Sequence, residues 1–269
     1  MPDVPFGLVG AALAGLAFTA TLGFVTWLAS LARHDASLVD RVWSLCIAGA
    51  GAGYFFVLPP QAGLRGLGML LLAAAWALRL SLFITWRNWG HGEDRRYRQI
   101  RARNQPNFGP KSLYLVFGLQ AALAWAVSVP LLAGMHGNSA LSALDAAGFA
   151  LAAFGLVFET IADAQMARFK ADRANAGRVM DRGLWRYTRH PNYFGECCVW
   201  WGLWLVAMGG AGWGGAWSIV SPVLMTVLLL KVSGVSLLEK DITERRPAYR
   251  DYIARTNAFL PGPVRRETP

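Results

Sequence analysis

Gly183 to Glu196 reads GLWRYTRHPNYFGE, and this stretch joins an arginine-rich polar segment to an apolar span. Proline is pre-organised for the first position of a helix, where its missing N–H costs nothing. Pro191 is therefore expected to open a helix at the end of the basic segment. Helix N-termini attract anions, phosphates above all. His190, Asn192 and Tyr193 sit at this junction, with Glu196 about one turn further in. The stretch predicts a phosphate-binding rim at a membrane surface, with a carboxylate just below it.

Working outward, the chain reads as an all-α, polytopic membrane protein of about seven transmembrane helices. Of its 269 residues, 55% are hydrophobic and 16% charged, with 12 tryptophans. A crossing needs about 20 mostly apolar helical residues. Spans are expected at 6–32, 42–58, 66–86, 112–134, 142–166, 193–209 and 216–238. The first has no preceding Lys or Arg and no convincing cleavage site, so it reads as a retained anchor. Loops 87–111 and 167–192 and the tail from 239 hold seven basic residues each, and loop 33–41 holds two. The opposite loops hold only Arg65. The positive-inside rule then puts the N-terminus outside and the C-terminus in the cytoplasm. The net charge of +10 follows mostly from this topology and does not call for nucleic acid. Anionic membrane lipids are the plain partner for the basic loops. No obligate protein partner is evident. With no internal repeat and no long linker, residues 1–269 read as a single membrane domain.

Ionisable groups inside spans are expensive and mark functional sites by default. Arg79, Glu159 and Lys231 each lie about eight residues from the cytoplasmic end of a span, about 12 Å deep. Asp163 shares a helix face with Glu159, being four residues on. Together with Glu196, these predict a polar cavity open to the cytoplasm, with Asp40 and Arg41 at the mouth of the second span. In 167–192, Lys170, Arg173 and Arg178 and then Arg182, Arg186 and Arg189 are spaced for discrete phosphate contacts. Arg95, Arg96, Arg98 and Arg101 add to the basic surface from the loop at 87–111.

Other signals point to packing. AGAGAG at 48–53 lacks a preceding strand, so it is not a dinucleotide fingerprint; its small residues predict close helix contact. Trp213 and Trp217 fit an interfacial belt, and Trp200, Trp201 and Trp204 fit the packed interior. Cys46, Cys197 and Cys198 show no ligand spacing, so neither a metal site nor a disulfide is expected.

GLWRYTRHPNYFGE, followed by an apolar span and by SGVSLLEKDI and PAYRDYIARTNAFLP, resembles the steroid 5α-reductase-like group of bacterial membrane proteins. That group is related to steroid 5α-reductases and sterol reductases, and more distantly to isoprenylcysteine carboxyl methyltransferases. The resemblance is strongest over 155–262, which it implies is the cofactor-binding half, and extends weakly to DRVWSL at 40–45 and GEDRRYRQIR at 92–101. It implies NADPH as cofactor and the bacterial inner (cytoplasmic) membrane as location. Asn192, Tyr193, Gly195 and Glu196 are similar to a reductase motif whose asparagine meets the nicotinamide. Asp163 matches a position that contacts the adenosine half, and Lys170 and Arg178 match positions that hold phosphate. Ser236 stands where another phosphate contact is basic in those enzymes. The Gln-Glu pair with which steroid 5α-reductases grip a 3-keto group has no counterpart, and Asp40 is the nearest candidate acid.

The reading that follows is an oxidoreductase that reduces a polarised C=C bond of a lipophilic substrate, steroid-like or isoprenoid, drawn from the bilayer. Its catalytic candidates are Asp40, Tyr193 and Glu196. Its cofactor-binding candidates are Asp163, Lys170, Arg173, Arg178, His190, Asn192, Tyr193 and Glu239. Two alternatives stay open. One is an S-adenosylmethionine-dependent methyltransferase that uses the same junction and the Leu238–Glu239 region for its methyl donor. The other is a non-catalytic lipid-binding protein.

Overall fold

The computed structural model describes residues 4–232, 234–235, 239 and 242–265; Ser236 and Leu238 lie outside them. Among the described residues the regular structure is helical, with no strand. The chain divides into two compact units, 1–146 with 204–221, and 147–203 with 222–269.

Five helical runs are long and apolar enough to cross a membrane: Gly7–Arg33, Gly63–Arg87, Phe108–His136, Ala143–Ala171 and Pro191–Val232. The chain is thus a multi-pass membrane protein. The expected second span is present as a helix but carries Asp40 and Arg41 in its first turn. The expected sixth and seventh fall within one run of 42 residues. At about 1.5 Å per residue that run measures about 60 Å, twice a hydrocarbon core of ~30 Å. It is interrupted by a 3-10 stretch, Gly212–Ile219, that Gly212 opens at φ +56°.

In the first unit, α1 (Val4–Arg33), α2 (Leu38–Val57) and α3 (Pro59–Arg87) pack in sequence, and α3 is kinked at Gly63. A short helix, α4 (Arg95–Arg103), precedes α5 (Phe108–His136). The AGAGAG stretch does mediate helix contact. A Cβ at Gly51 would stand 2.6 Å from Leu131 Cδ1, and one at Gly49 would collide with the Phe18 ring. Tyr54 is fully buried against Gly15 and shares a 2.6 Å hydrogen bond with Ser128. Arg65, the lone basic residue of the opposite loops, is buried. It pairs with Asp145 at 2.6 Å and donates to the Ser139 and Ala140 carbonyls.

The second unit contains most of α6 (Ala143–Ala171) and the first part of α7 (Pro191–Ala211). These two helices touch through glycine. A Cβ at Gly155 would lie 2.5 Å from the Gly195 carbonyl oxygen, and one at Gly202 would lie 2.5 Å from the Ala152 nitrogen. α8 (Val220–Val227) runs on as a π-helical turn, Leu228–Val232; α9 (Ile242–Arg245) and α10 (Tyr249–Arg255) follow. Lys231 is exposed rather than buried in a cavity. Trp200 is fully buried, whereas Trp213 and Trp217 are exposed, as an interfacial belt requires. The three cysteines are free and buried.

Candidate cofactor site

Pro191 is the first residue of α7, so the helix begins where its sequence placed it. The approach to this helix is held from the C-terminal segment. Thr188 donates to the Phe259 carbonyl at 2.8 Å, and the Arg189 N–H donates to the Asn257 carbonyl at 2.9 Å. Trp185 donates to the Ala162 carbonyl at 3.0 Å and accepts, through its own carbonyl, the Tyr252 hydroxyl. Gly183 takes φ +59°, a conformation that costs glycine little, and Leu184 N donates to the Gln165 side chain at 2.9 Å.

At the helix start, the rings of His190 and Tyr193 stack in parallel, 5.4 Å between centroids. His190 Nε2 lies 3.0 Å from Glu239 Oε1. Arg189, also buried, grips both Glu239 oxygens, at 2.7 and 2.9 Å, and donates to the Thr256 carbonyl at 2.6 Å. The Tyr249 hydroxyl adds a longer bond to Glu239 at 3.4 Å. Burial alone pushes the Glu239 carboxyl up; hydrogen bonds from His190 and Arg189, and the Arg189 charge, outweigh it and bring it down to about 2. Glu239 is therefore ionised and accepts only, so Nε2 of His190 carries the proton in this bond. This fixes the ring that stacks on Tyr193.

Asn192 lies next to this stack, in the first turn of α7. Its Oδ1 is buried with no hydrogen-bond partner among the described residues. A buried amide oxygen left unmatched costs about 1–3 kcal/mol, and such groups occur where a ligand completes them. Asp163 and Glu196 are both buried on α6 and α7. Gly195 is demanded by packing: a Cβ there would stand 2.7 Å from the Glu159 nitrogen. Lys170 is in the last turn of α6, and with Arg173 and Arg178 it is exposed. The Asp172 carboxylate caps the 3-10 turn that carries Arg173, accepting from Ala174 N at 2.9 Å.

The structure thus brings His190 into contact with both Tyr193 and Glu239, with Asn192 adjacent in sequence, and leaves Lys170, Arg173 and Arg178 at the surface. All of these, with Asp163 and Glu196, belong to the second unit. It removes Arg189 from the phosphate-facing set, because its guanidinium is consumed internally. The coupling of Arg189 to Glu239 spans 50 residues and leaves no local pattern in sequence.

Asp40 belongs to the first unit. It accepts from Arg96 Nη2 at 2.8 Å and from the Tyr97 hydroxyl at 2.6 Å. Arg96 also reaches Asp94 at 3.0 Å, and Arg101 is taken up by Glu93. These two arginines of the 87–111 loop therefore serve internal acids. Tyr97 is a functional candidate that sequence reading missed. The signal was present: Asp94 caps α4, and Tyr97, Ile100 and Arg101 recur at helical spacing behind it.

With this geometry in view, comparison with known proteins places the chain. It belongs to a family described as a protein of unknown function (DUF1295), whose model matches residues 26–256. It is 28% identical over 283 residues to the uncharacterized protein C594.04c of Schizosaccharomyces pombe, covering 92% of this chain and 78% of that protein. That relative is a fission yeast protein, not a bacterial one. No solved structure matches the chain.

Proposed function

We propose that this DUF1295-family chain is a membrane-bound, NADPH-dependent reductase of a polarised C=C bond in a lipophilic, steroid-like or isoprenoid substrate. The observation that carries the reading is Asn192: an unmatched, buried carboxamide oxygen at a helix start, beside a fixed His190–Tyr193 stack. It fits the amide N–H of a nicotinamide carboxamide. The exposed Lys170, Arg173 and Arg178 fit phosphate groups, which S-adenosylmethionine lacks. The similarity of RHPNYFGE to steroid 5α-reductase-like proteins supports the same choice.

NADPH, when bound, supplies a hydride for the β-carbon of the substrate. Lys170, Arg173 and Arg178 would hold its phosphates, and Asp163 would orient the adenosine side. Asn192 would accept from the carboxamide, and His190, Tyr193 and Glu196 would complete the nicotinamide end of the site. Arg189 and Glu239 hold His190 in register and exclude water from its Nε2. Asp40 is assigned its role on chemical grounds. A protonated carboxyl can donate a hydrogen bond to a substrate carbonyl and stabilise the developing enolate, and Tyr97, which donates to Asp40 at 2.6 Å, is its neighbour.

The accompanying topology is seven crossings, with α2 counted as one and the break at Gly212 dividing the longest run. The N-terminus is outside and the C-terminus cytoplasmic, in the inner membrane of a bacterium. The test is oxidation of NADPH by detergent-purified protein against a panel of lipophilic enones. Consumption of NADPH matched by saturated product, and lost in Asn192→Ala, supports the reading. Methyl transfer from S-adenosylmethionine without NADPH oxidation overturns it.

A further inference from the structure

A cavity of about 620 Å³ lies wholly within the first unit, lined by the α1–α2 connection and the segment after α3. Small-molecule sites span ~300–1,000 Å³. Its walls include Arg33, His34, Arg41, Trp89 and His91. Their placement follows from two helix ends. α1 stops in a Schellman turn: Asp35 N donates to the Ser30 carbonyl, His34 N to the Leu31 carbonyl, and His34 takes the left-handed position at φ +51°. α3 stops at Arg87, with Gly90 at φ +75° turning the chain. The apolar runs Gly7–Arg33 and Gly63–Arg87 end here, so the lining residues sit within a few positions of two span ends. The cavity is interfacial whichever way the chain is oriented. Trp86 and Trp89, both well exposed, mark the same level.

The charges of the lining are unequally committed. Glu93 accepts from Arg101 at 2.7 and 2.9 Å and from Ala36 N at 2.8 Å. Asp35 accepts from the Ser37 N–H and hydroxyl, and meets Arg41 only at 3.7 Å. The Arg41 Nε is buried with no hydrogen-bond partner among the described residues. Arg33 is exposed at the rim. The acids are satisfied from within the protein, and guanidinium capacity is left over; His34 and His91 add imidazoles, the Nδ1 of His91 lying 3.0 Å from the Trp89 carbonyl.

We propose that this cavity is a headgroup site for an anionic phospholipid, with Arg33 and Arg41 on its phosphate and Trp89 at the glycerol level. Guanidinium groups suit phosphate oxygens in number and direction. Basic pockets beside span ends are where anionic headgroups are held. The site lies in the unit that carries no cofactor-binding candidate, so it stands or falls separately from the reductase reading.

The test is native mass spectrometry of the full chain in detergent, titrated with phosphatidylglycerol or with phosphatidylcholine. The wild type is expected to retain one phosphatidylglycerol and to favour it over phosphatidylcholine. Arg33→Gln, a rim change that leaves the fold intact, is expected to weaken retention about tenfold, and Arg33→Gln with Arg41→Gln to abolish the preference. Arg98→Gln with Arg103→Gln, which removes charge from the exposed face of α4 outside the cavity, is expected to leave retention unchanged. Equal loss in that control, or unchanged retention in Arg33→Gln, overturns the proposal. Displacement of the lipid by equimolar inorganic phosphate or glycerol phosphate also overturns it, by making the ligand a soluble phosphoester.

Discussion

Glu239→Gln separates a structural reading of the Arg189 clamp from a decorative one. The substitution keeps the shape and an acceptor oxygen but removes the charge that faces a guanidinium only 9% exposed. Arg189 retains the Thr256 carbonyl at 2.6 Å, so it is not wholly stranded. Removing one partner of a buried pair costs about 3–5 kcal/mol. The depressed Glu239 carboxyl has the sign this pairing requires. Because Arg189 keeps the Thr256 carbonyl, the lower end applies, about 3 kcal/mol. For a chain of this size that is a fall of ~6–12 °C in thermal midpoint, read by tryptophan fluorescence in detergent. The sign with pH is fixed because the folded value is depressed. The contribution is complete above about pH 4.5 and drains away as pH falls toward 2. The wild type should therefore lose stability steadily across that window, and Glu239→Gln should lose less. A variant that melts within about 2 °C of the wild type at neutral pH, with the same acid profile, refutes the clamp.

Three further outcomes follow from the packing and the polar clusters. Gly195→Ala is expected to cost about 1–3 kcal/mol, because its Cβ would press on the Glu159 nitrogen and Gly155 carbonyl. Gly214→Ala, with open space at the same test atom, should be neutral in the same melting assay. Arg65→Met should lower stability by about 3–5 kcal/mol by stranding buried Asp145, and Arg65→Met with Asp145→Leu should recover most of it. Asp40→Asn should cut turnover at least ~100-fold with NADPH affinity unchanged; an unchanged rate removes Asp40 from the chemistry.

The start of α7 was legible because proline after a basic turn has few other uses, and the glycines at 48–53 were legible because no strand precedes them. The helix α4 was legible in principle, since Asp94 caps it and its buried positions recur at helical spacing, but the turn residues around it dominate a reading by composition. What sequence could not give was the partition of the arginines. Arg96, Arg101 and Arg189 look the same in sequence as Arg98, Arg173 and Arg178. Only the folded chain shows that the first three are consumed by Asp40, Glu93 and Glu239, contacts that include separations of 50 residues or more. The division of 191–232 was obscured for a related reason. Gly212 turns the backbone without a polar loop, so the hydropathy stays high across the break.

The most direct measurement is equilibrium binding of NADPH and of S-adenosylmethionine to the purified full-length protein, with Asn192→Ala and Arg178→Ala alongside. The account predicts saturable NADPH binding, weakened about tenfold by each substitution, and no saturable binding of S-adenosylmethionine. Saturable S-adenosylmethionine binding with none of NADPH would contradict it.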